Sequence, residues 1–114
     1  MQKDATELSD ELRHRIREFL EPLHPEKVIV FGSYALGAAD RDSDIDLIVV
    51  LDSEAMPRTY HDRTANHLLV RRALDALNRD YALDVLVYTV PEWKRFQDSG
   101  SAFSKEVASR GVEV

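Results

Sequence analysis

Apolar residues return at three- and four-residue steps through the first part of the chain, at Leu8, Leu12, Ile16, Phe19, Leu20 and Leu23. That is the period of an amphipathic helix, and it predicts one over about residues 5 to 21, stopped by Pro22 and Pro25. The period then changes. "KVIVF" is rich in β-branched and aromatic side chains and is followed at once by Gly32, which predicts a central strand over residues 27–31. "SYALG" has room for one helical turn before Gly37, with Ser33 as its cap. The charged stretch "AADRDSD" reads as a loop, and "IDLIVVL" as a second strand from about residue 44 to 51. Alternation puts Asp44, Asp46, Ile48 and Val50 on one face and Ile45, Leu47 and Val49 on the other. Both faces are apolar beyond Asp46, so the strand is expected to be covered on both sides.

Further on, "HDRTANHLLVRRALDALNRD" places Ala65, Leu68, Leu69, Ala73, Ala76 and Leu77 at helical spacing, predicting a long helix over about residues 59 to 79. "ALDVLVY" reads as a third strand, 82–88, with Asp84, Leu86 and Tyr88 on one face. The tail predicts a helix from Pro91, a break at Ser99-Gly100, and a second helix over about residues 101 to 110 ended by Gly111. Trp93, Phe96 and Phe103 are expected to pack these helices onto the sheet. The glycine-serine pair lies at the carboxyl end of the first strand, and Asp44 and Asp46 at the amino end of the second. If they serve one site, those strands run antiparallel. Asp84 lies near the amino end of the third strand; bringing it beside Asp46 makes strands two and three parallel, joined by the long helix as a right-handed crossover. The expected fold class is α+β in two layers, a mixed β-sheet of at least three strands flanked by helices mainly on one face, with three carboxylates at one edge of the other. At 114 residues the chain is expected to form one domain, 1–114.

Composition narrows the chemistry. The absence of cysteine excludes disulfides, thiol catalysis and cysteine-bound zinc, and suits a reducing, cytoplasmic setting. "MQKDATELSD" has no apolar leader core, and the longest apolar run falls far short of the roughly 20 residues a bilayer crossing needs. No membrane association is expected. A net charge of −6 repels a nucleic-acid backbone, so direct nucleic-acid binding is not expected either. His14, His24, His61 and His67 are scattered, with no HExxH arrangement to hold zinc.

The chemistry-bearing residues are then Asp44, Asp46 and Asp84. Asp44 alone reads as an ordinary turn residue. Asp46 and Asp84 are flanked by apolar neighbours on both sides and do not read that way. Side chains at i and i+2 of a strand point the same way from Cα atoms about 6.5 Å apart. Clustered, unpaired carboxylates repel, and a divalent cation relieves the repulsion. Oxygen ligands favour magnesium or manganese, and paired ions about 3.5 to 4 Å apart are a common solution for phosphoryl chemistry. Gly32 suits a tight turn or the close approach of a ligand, and the amides that follow it, with the Ser33 hydroxyl, can cradle phosphate. A glycine-serine after a strand is also often no more than a turn, and this one belongs to neither a Walker loop nor a dinucleotide fingerprint. Arg41 either reaches triphosphate oxygens from its loop or is solvated. Tyr34 stacks on a base or packs in the core, and Arg71 and Arg72 line a partner or nucleotide surface or remain a solvated helix face.

The three segments "GS", "YALGAADRDS" and "DID" reproduce a spacing of glycine-serine, ten residues, then aspartate-any-aspartate. On these the chain resembles the minimal nucleotidyltransferases of the DNA polymerase beta-like nucleotidyltransferase superfamily, and Asp84 in "YALDVLVY" matches the family's third acid. The resemblance spans nearly the whole chain and implies the polymerase beta-like fold. It implies that Asp44 and Asp46 are ligands shared by two magnesium ions, with manganese as the alternative, and that Asp84 completes the shell of the catalytic ion. Gly32 and Ser33 would contact the β- and γ-phosphates of ATP or another nucleoside triphosphate. An acceptor hydroxyl would attack the α-phosphorus and release pyrophosphate. Relatives of this size lack the extra domain that larger ones use to hold acceptors, and several are antitoxins that adenylylate a tyrosine of a HEPN-domain ribonuclease toxin. A toxin partner of that kind is therefore implied here. Three other readings remain: the same chemistry on a small-molecule or RNA acceptor, a noncatalytic antitoxin that masks its toxin, and a purely structural domain that binds neither ATP nor magnesium. Many relatives carry arginine where this chain has Leu36 in "ALG", which puts rate or nucleotide preference in doubt more than reaction class. Oligomeric state is left open.

Overall fold

The computed structural model describes residues 7–40 and 42–114; residues 1–6 and Arg41 lie outside the described residues, and with them the start of the first expected helix and one expected phosphate contact. Helix α1 runs Asp10–Leu20. It begins at Asp10 because Ser9 caps it, the Leu12 amide donating to Ser9 Oγ at 3.1 Å, and Asp10 and Glu11 then sit favourably at the positive end of the helix. Leu12, Ile16 and Leu20 are buried as the spacing requires. Pro22 occupies a short 3-10 turn, Glu21–Leu23, where its missing N–H costs little, and His24 closes the turn in the left-handed region at φ 48°.

Strand β1, Lys27–Phe31, has the predicted bounds. The one-turn helix α2, Ser33–Leu36, also forms, but its N-cap is Gly32 rather than Ser33. Strand β2 is Ile45–Leu51, so Asp44 immediately precedes it. The expected long helix is two: α3, Tyr60–Ala73, capped by Thr59, and α4, Asp75–Asn78, separated at Leu74, which leaves helical geometry at φ −94°, ψ 5°. Strand β3 is Leu83–Thr89, followed by α5, Val90–Asp98, and α6, Ala102–Arg110. A fourth strand, β4, Val112–Glu113, follows; two residues are too few to show a period.

The strands form one sheet in the order β3-β2-β1-β4. β1 pairs antiparallel with β2 and with β4, and β2 pairs parallel with β3. Val28, Val30, Ile45, Leu47, Val49 and Val85 form one core with Ile16 and Leu20 of α1, Val70 of α3, Leu77 of α4 and the intervening Leu74. Ile29, Ile48 and Val50 form a second with Trp93 of α5 and Val107 of α6. Helices therefore cover both faces, and the expectation of helices mainly on one face was wrong. The doubly apolar β2 already required two covers; α5 and α6 supply the second. From α3 into α4 the buried stripe runs through Val70, Leu74 and Leu77, while Leu68 and Leu69 of α3 are 45% and 48% exposed. Three consecutive apolar residues span about 200° of a helix, so they cannot share one face. Among the described residues no helix is long and apolar enough to cross a membrane.

Candidate functional site

Register decides which side chains meet. Phe31 of β1 is the direct partner of Asp46 of β2, and Asp46 is the direct partner of Asp84 of β3. Directly paired residues point to the same face, so Phe31, Asp46 and Asp84 form a transverse row across three strands. The next row along the same face is Ile29, Ile48 and Leu86, and it lies under α5 and α6. The carboxylates thus occupy the last row, just beyond the apolar cover. Asp44 is exposed one residue before β2.

The electrostatics of this row are unfavourable as it stands. Burial, then the charges of Asp84 and Asp44, then a hydrogen bond with Asp84 hold the Asp46 carboxyl above the usual aspartate range. Among the described residues no basic side chain forms an ion pair with Asp44, Asp46 or Asp84. Nor, among those residues, are three carboxylates or imidazoles already drawn into a closed ligand set. What exists is a tight pair with a third charge beside it. Oxygen-only donors, an uncompensated pair and a carboxyl pushed toward its neutral form are the conditions that a hard divalent cation relieves, so the side chains present suit magnesium or manganese.

Gly32 fixes the other wall. Its backbone sits at φ 72°, ψ −151°, a region essentially closed to residues with a Cβ. A Cβ at this position would overlap Asp46 Oδ2 and approach Asp46 Cγ to 3.1 Å. The glycine is therefore required both by its own conformation and by the carboxylate packed on it. Ser33 is the first residue of α2 and is half-buried. Tyr34 is 4% exposed in the main core, which settles its two readings for packing, and burial raises its hydroxyl pKa. Arg71 does not stand free: its Nη1 donates to the Leu83 carbonyl at 3.3 Å, tying α3 to the start of β3 next to Asp84. Arg72 is exposed.

Sequence reasoning placed Phe31 in the strand and Phe103 in the packing of the tail, and gave neither a place at the site. The two rings meet edge to face at 5.3 Å, and Phe103 is 38% exposed beside the carboxylate row. The signal that could have found Phe31 was its position one residue before Gly32, once antiparallel pairing with β2 was assumed.

Residues 10–113 match the family described as Nucleotidyltransferase domain. The chain belongs to that family. No curated protein matches it. Among solved structures, this nucleotidyltransferase domain is similar to a toxin-antitoxin crystallised with AMP-PNP, at 21% identity over 89% of this chain and 70% of that one, with a TM-score of 0.56. It is also similar to a mutant of the toxin-antitoxin MntA-HpeT in which two aspartates, two positions apart, are replaced by glutamate, at 18% identity over 89% and 70% with a TM-score of 0.50. At these identities the likeness establishes the fold, a mixed sheet flanked by helices of the polymerase beta-like nucleotidyltransferase type. In this nucleotidyltransferase domain the glycine-serine and aspartate-any-aspartate segments, more than ten residues apart in sequence, face each other across the β1–β2 pair.

Proposed function

We propose that this chain is a single-domain, cytoplasmic, magnesium-dependent nucleotidyltransferase that moves AMP from ATP to a hydroxyl, a tyrosine of a partner HEPN-type ribonuclease toxin, with release of pyrophosphate. The observation that carries the chemistry is the Asp46–Asp84 pair in one row of the sheet, uncompensated by any cation among the described residues and packed against Gly32. The nucleotide and the toxin partner rest on the solved toxin-antitoxin structures, one of them holding AMP-PNP and another altered at two closely spaced aspartates.

Asp44, Asp46 and Asp84 would hold the divalent ions, which when bound would acidify the acceptor hydroxyl and offset charge on the phosphates. The protein's own part is positional. The Gly32 turn leaves room for a phosphate to lie against backbone, and Ser33 and Arg41 are the side chains assigned to its β- and γ-oxygens. β2 and β3 fix the spacing of Asp46 and Asp84. The acceptor oxygen bonds to the α-phosphorus as the bridging P–O bond to the β-phosphate breaks, and the electron pair leaves with pyrophosphate. With the ions bound, Asp84 would serve as a ligand rather than as a base, and the acceptor proton would pass to water.

A second reading, a masking antitoxin without catalysis, is favoured by the outward face of α3, where Ala65, Leu68 and Leu69 are exposed. One experiment separates the two. The native chain and the Asp44→Ala/Asp46→Ala variant are incubated with α-labelled ATP, magnesium and the purified toxin. Transfer of label to the toxin by the native chain only, with both proteins folded, is the expected result. Neutralisation that survives in the variant, without label transfer by either protein, would establish masking instead.

A further inference from the structure

We propose that Phe103 is the platform on which the nucleobase of the incoming nucleotide packs. This deepens the nucleotidyl-transfer reading and rests on it. Three observations place the ring. Phe31 is the cross-strand partner of Asp46, so their Cβ atoms stand about 4.5 to 5.5 Å apart on one face. Phe103 meets Phe31 edge to face at 5.3 Å and Phe96 in the same manner at 5.3 Å, so it lies on the border between the covered apolar rows and the carboxylate row. It nevertheless keeps 38% of its surface in solvent.

The ring is held, not merely left over. Ser101 caps α6 by accepting from the Ser104 amide at 3.0 Å, and Ser104 Oγ donates to the Gln97 carbonyl at 3.3 Å, fixing the first turn of α6 on α5. A pre-positioned phenyl ring loses little freedom when a ligand covers it, which is the property that makes aromatic side chains effective contact surfaces. The side of the row also discriminates between substrates. Phe31 leads directly into the Gly32–Ser33 turn, to which the phosphates are assigned, whereas Asp84 lies across Asp46 from it. Phe103 therefore flanks the nucleotide, and the Asp84 side is left for the acceptor.

The rings bordering Phe103 are those of Phe31 and Phe96, so the base is offered an aromatic, apolar surface rather than hydrogen-bonding groups. Stacking of this kind tolerates any base and favours the larger ones. ATP and GTP should then bind alike, and CTP more weakly.

The test measures magnesium-dependent binding of ATP, GTP and inorganic tripolyphosphate by calorimetry to the full chain and to Phe103→Ala and Phe103→Leu, with thermal unfolding as the check on folding. Phe103→Ala should weaken ATP and GTP about tenfold. Tripolyphosphate should bind all three proteins equally, and Phe103→Leu, which keeps the apolar cover, should fall between the others for ATP. Unchanged ATP affinity in folded Phe103→Leu and Phe103→Ala would make the ring a lid on the second core and overturn the proposal. So would equal losses for ATP and tripolyphosphate, or native chain that binds ATP no tighter than tripolyphosphate; in that last case the transfer chemistry would stand. Native chain that binds neither with magnesium would bring down both.

Discussion

Replacing Gly32 by alanine tests the centre of the site at its most constrained backbone position. At φ 72° and ψ −151° a residue with a Cβ carries a strain of about 2 kcal/mol. The new methyl also overlaps Asp46 Oδ2 and stands 3.1 Å from Asp46 Cγ, so the carboxylate must leave its rotamer or its place beside Asp84, at a cost of about 1 kcal/mol. Against a native stability on the order of 5 to 15 kcal/mol the combined loss is large but survivable. It should lower the melting temperature by roughly 10 to 15 °C. Urea denaturation of four proteins separates the two contributions: native, Gly32→Ala, Asp46→Ala and the double variant. In the Asp46→Ala background the overlap is gone and Gly32→Ala should cost only its backbone strain, leaving a coupling of about 1 kcal/mol between the sites. A cost below about 0.5 kcal/mol in the native background, typical of an unconstrained surface position, would refute the reasoning; equal costs in both backgrounds would refute the contact with Asp46.

Asp46→Asn, measured in chelator, should be more stable than the native chain at neutral pH. Burial and the neighbouring carboxylates raise the native Asp46 pKa, so the folded state holds that proton more tightly; this stabilisation is present below the unfolded value of about 3.9 and is lost as pH rises through the raised one. The advantage of Asp46→Asn should therefore close as pH falls toward 4, and stability curves between about pH 4 and 8 showing Asn less stable at neutrality would contradict it. The same variant should lose the stabilisation that magnesium gives the native chain. Leu47→Ala removes a side chain that is 0% exposed in the main core and should cost about 2 to 5 kcal/mol by chemical denaturation. Glu92→Ala breaks the capping box at the start of α5, in which the Thr89 amide and hydroxyl donate to Glu92 Oε1 at 3.0 and 3.3 Å. It should cost about 1 kcal/mol, and no change in midpoint would mean that water replaces the cap.

The strands were legible because their composition and period were unambiguous: β1 has its predicted bounds, β2 starts one residue later than predicted, and β3 is shifted by one residue at both ends. The pairing directions followed from requiring Gly32, Asp46 and Asp84 to meet, and the register bears this out, with Asp46 opposite Asp84. Helix limits were less legible. Leu74 interrupts a run of good helix formers with no glycine or proline to mark the break, and it is buried at 1% exposure between the two segments. Leu68 and Leu69 were counted in the helical period with Leu77, which proves buried, and they are exposed because spacing along a helix does not say which side the sheet lies on. β4 exists through its pairing with Ile29 and Val30, a long-range contact with no local trace. At the site, the carboxylates announced themselves by interrupting apolar strands, whereas Phe31 and Phe103 look like core residues in sequence and differ only by lying at its boundary.

The order β3-β2-β1-β4 gives the carboxylates unequal support. Asp46 rides on a strand clasped on both sides, and Asp84 on the outermost strand, whose outer flank is fastened by Arg71 at the Leu83 carbonyl. A changed residue at Arg71 would remove that tie and act on the strand that carries Asp84 without touching either carboxylate.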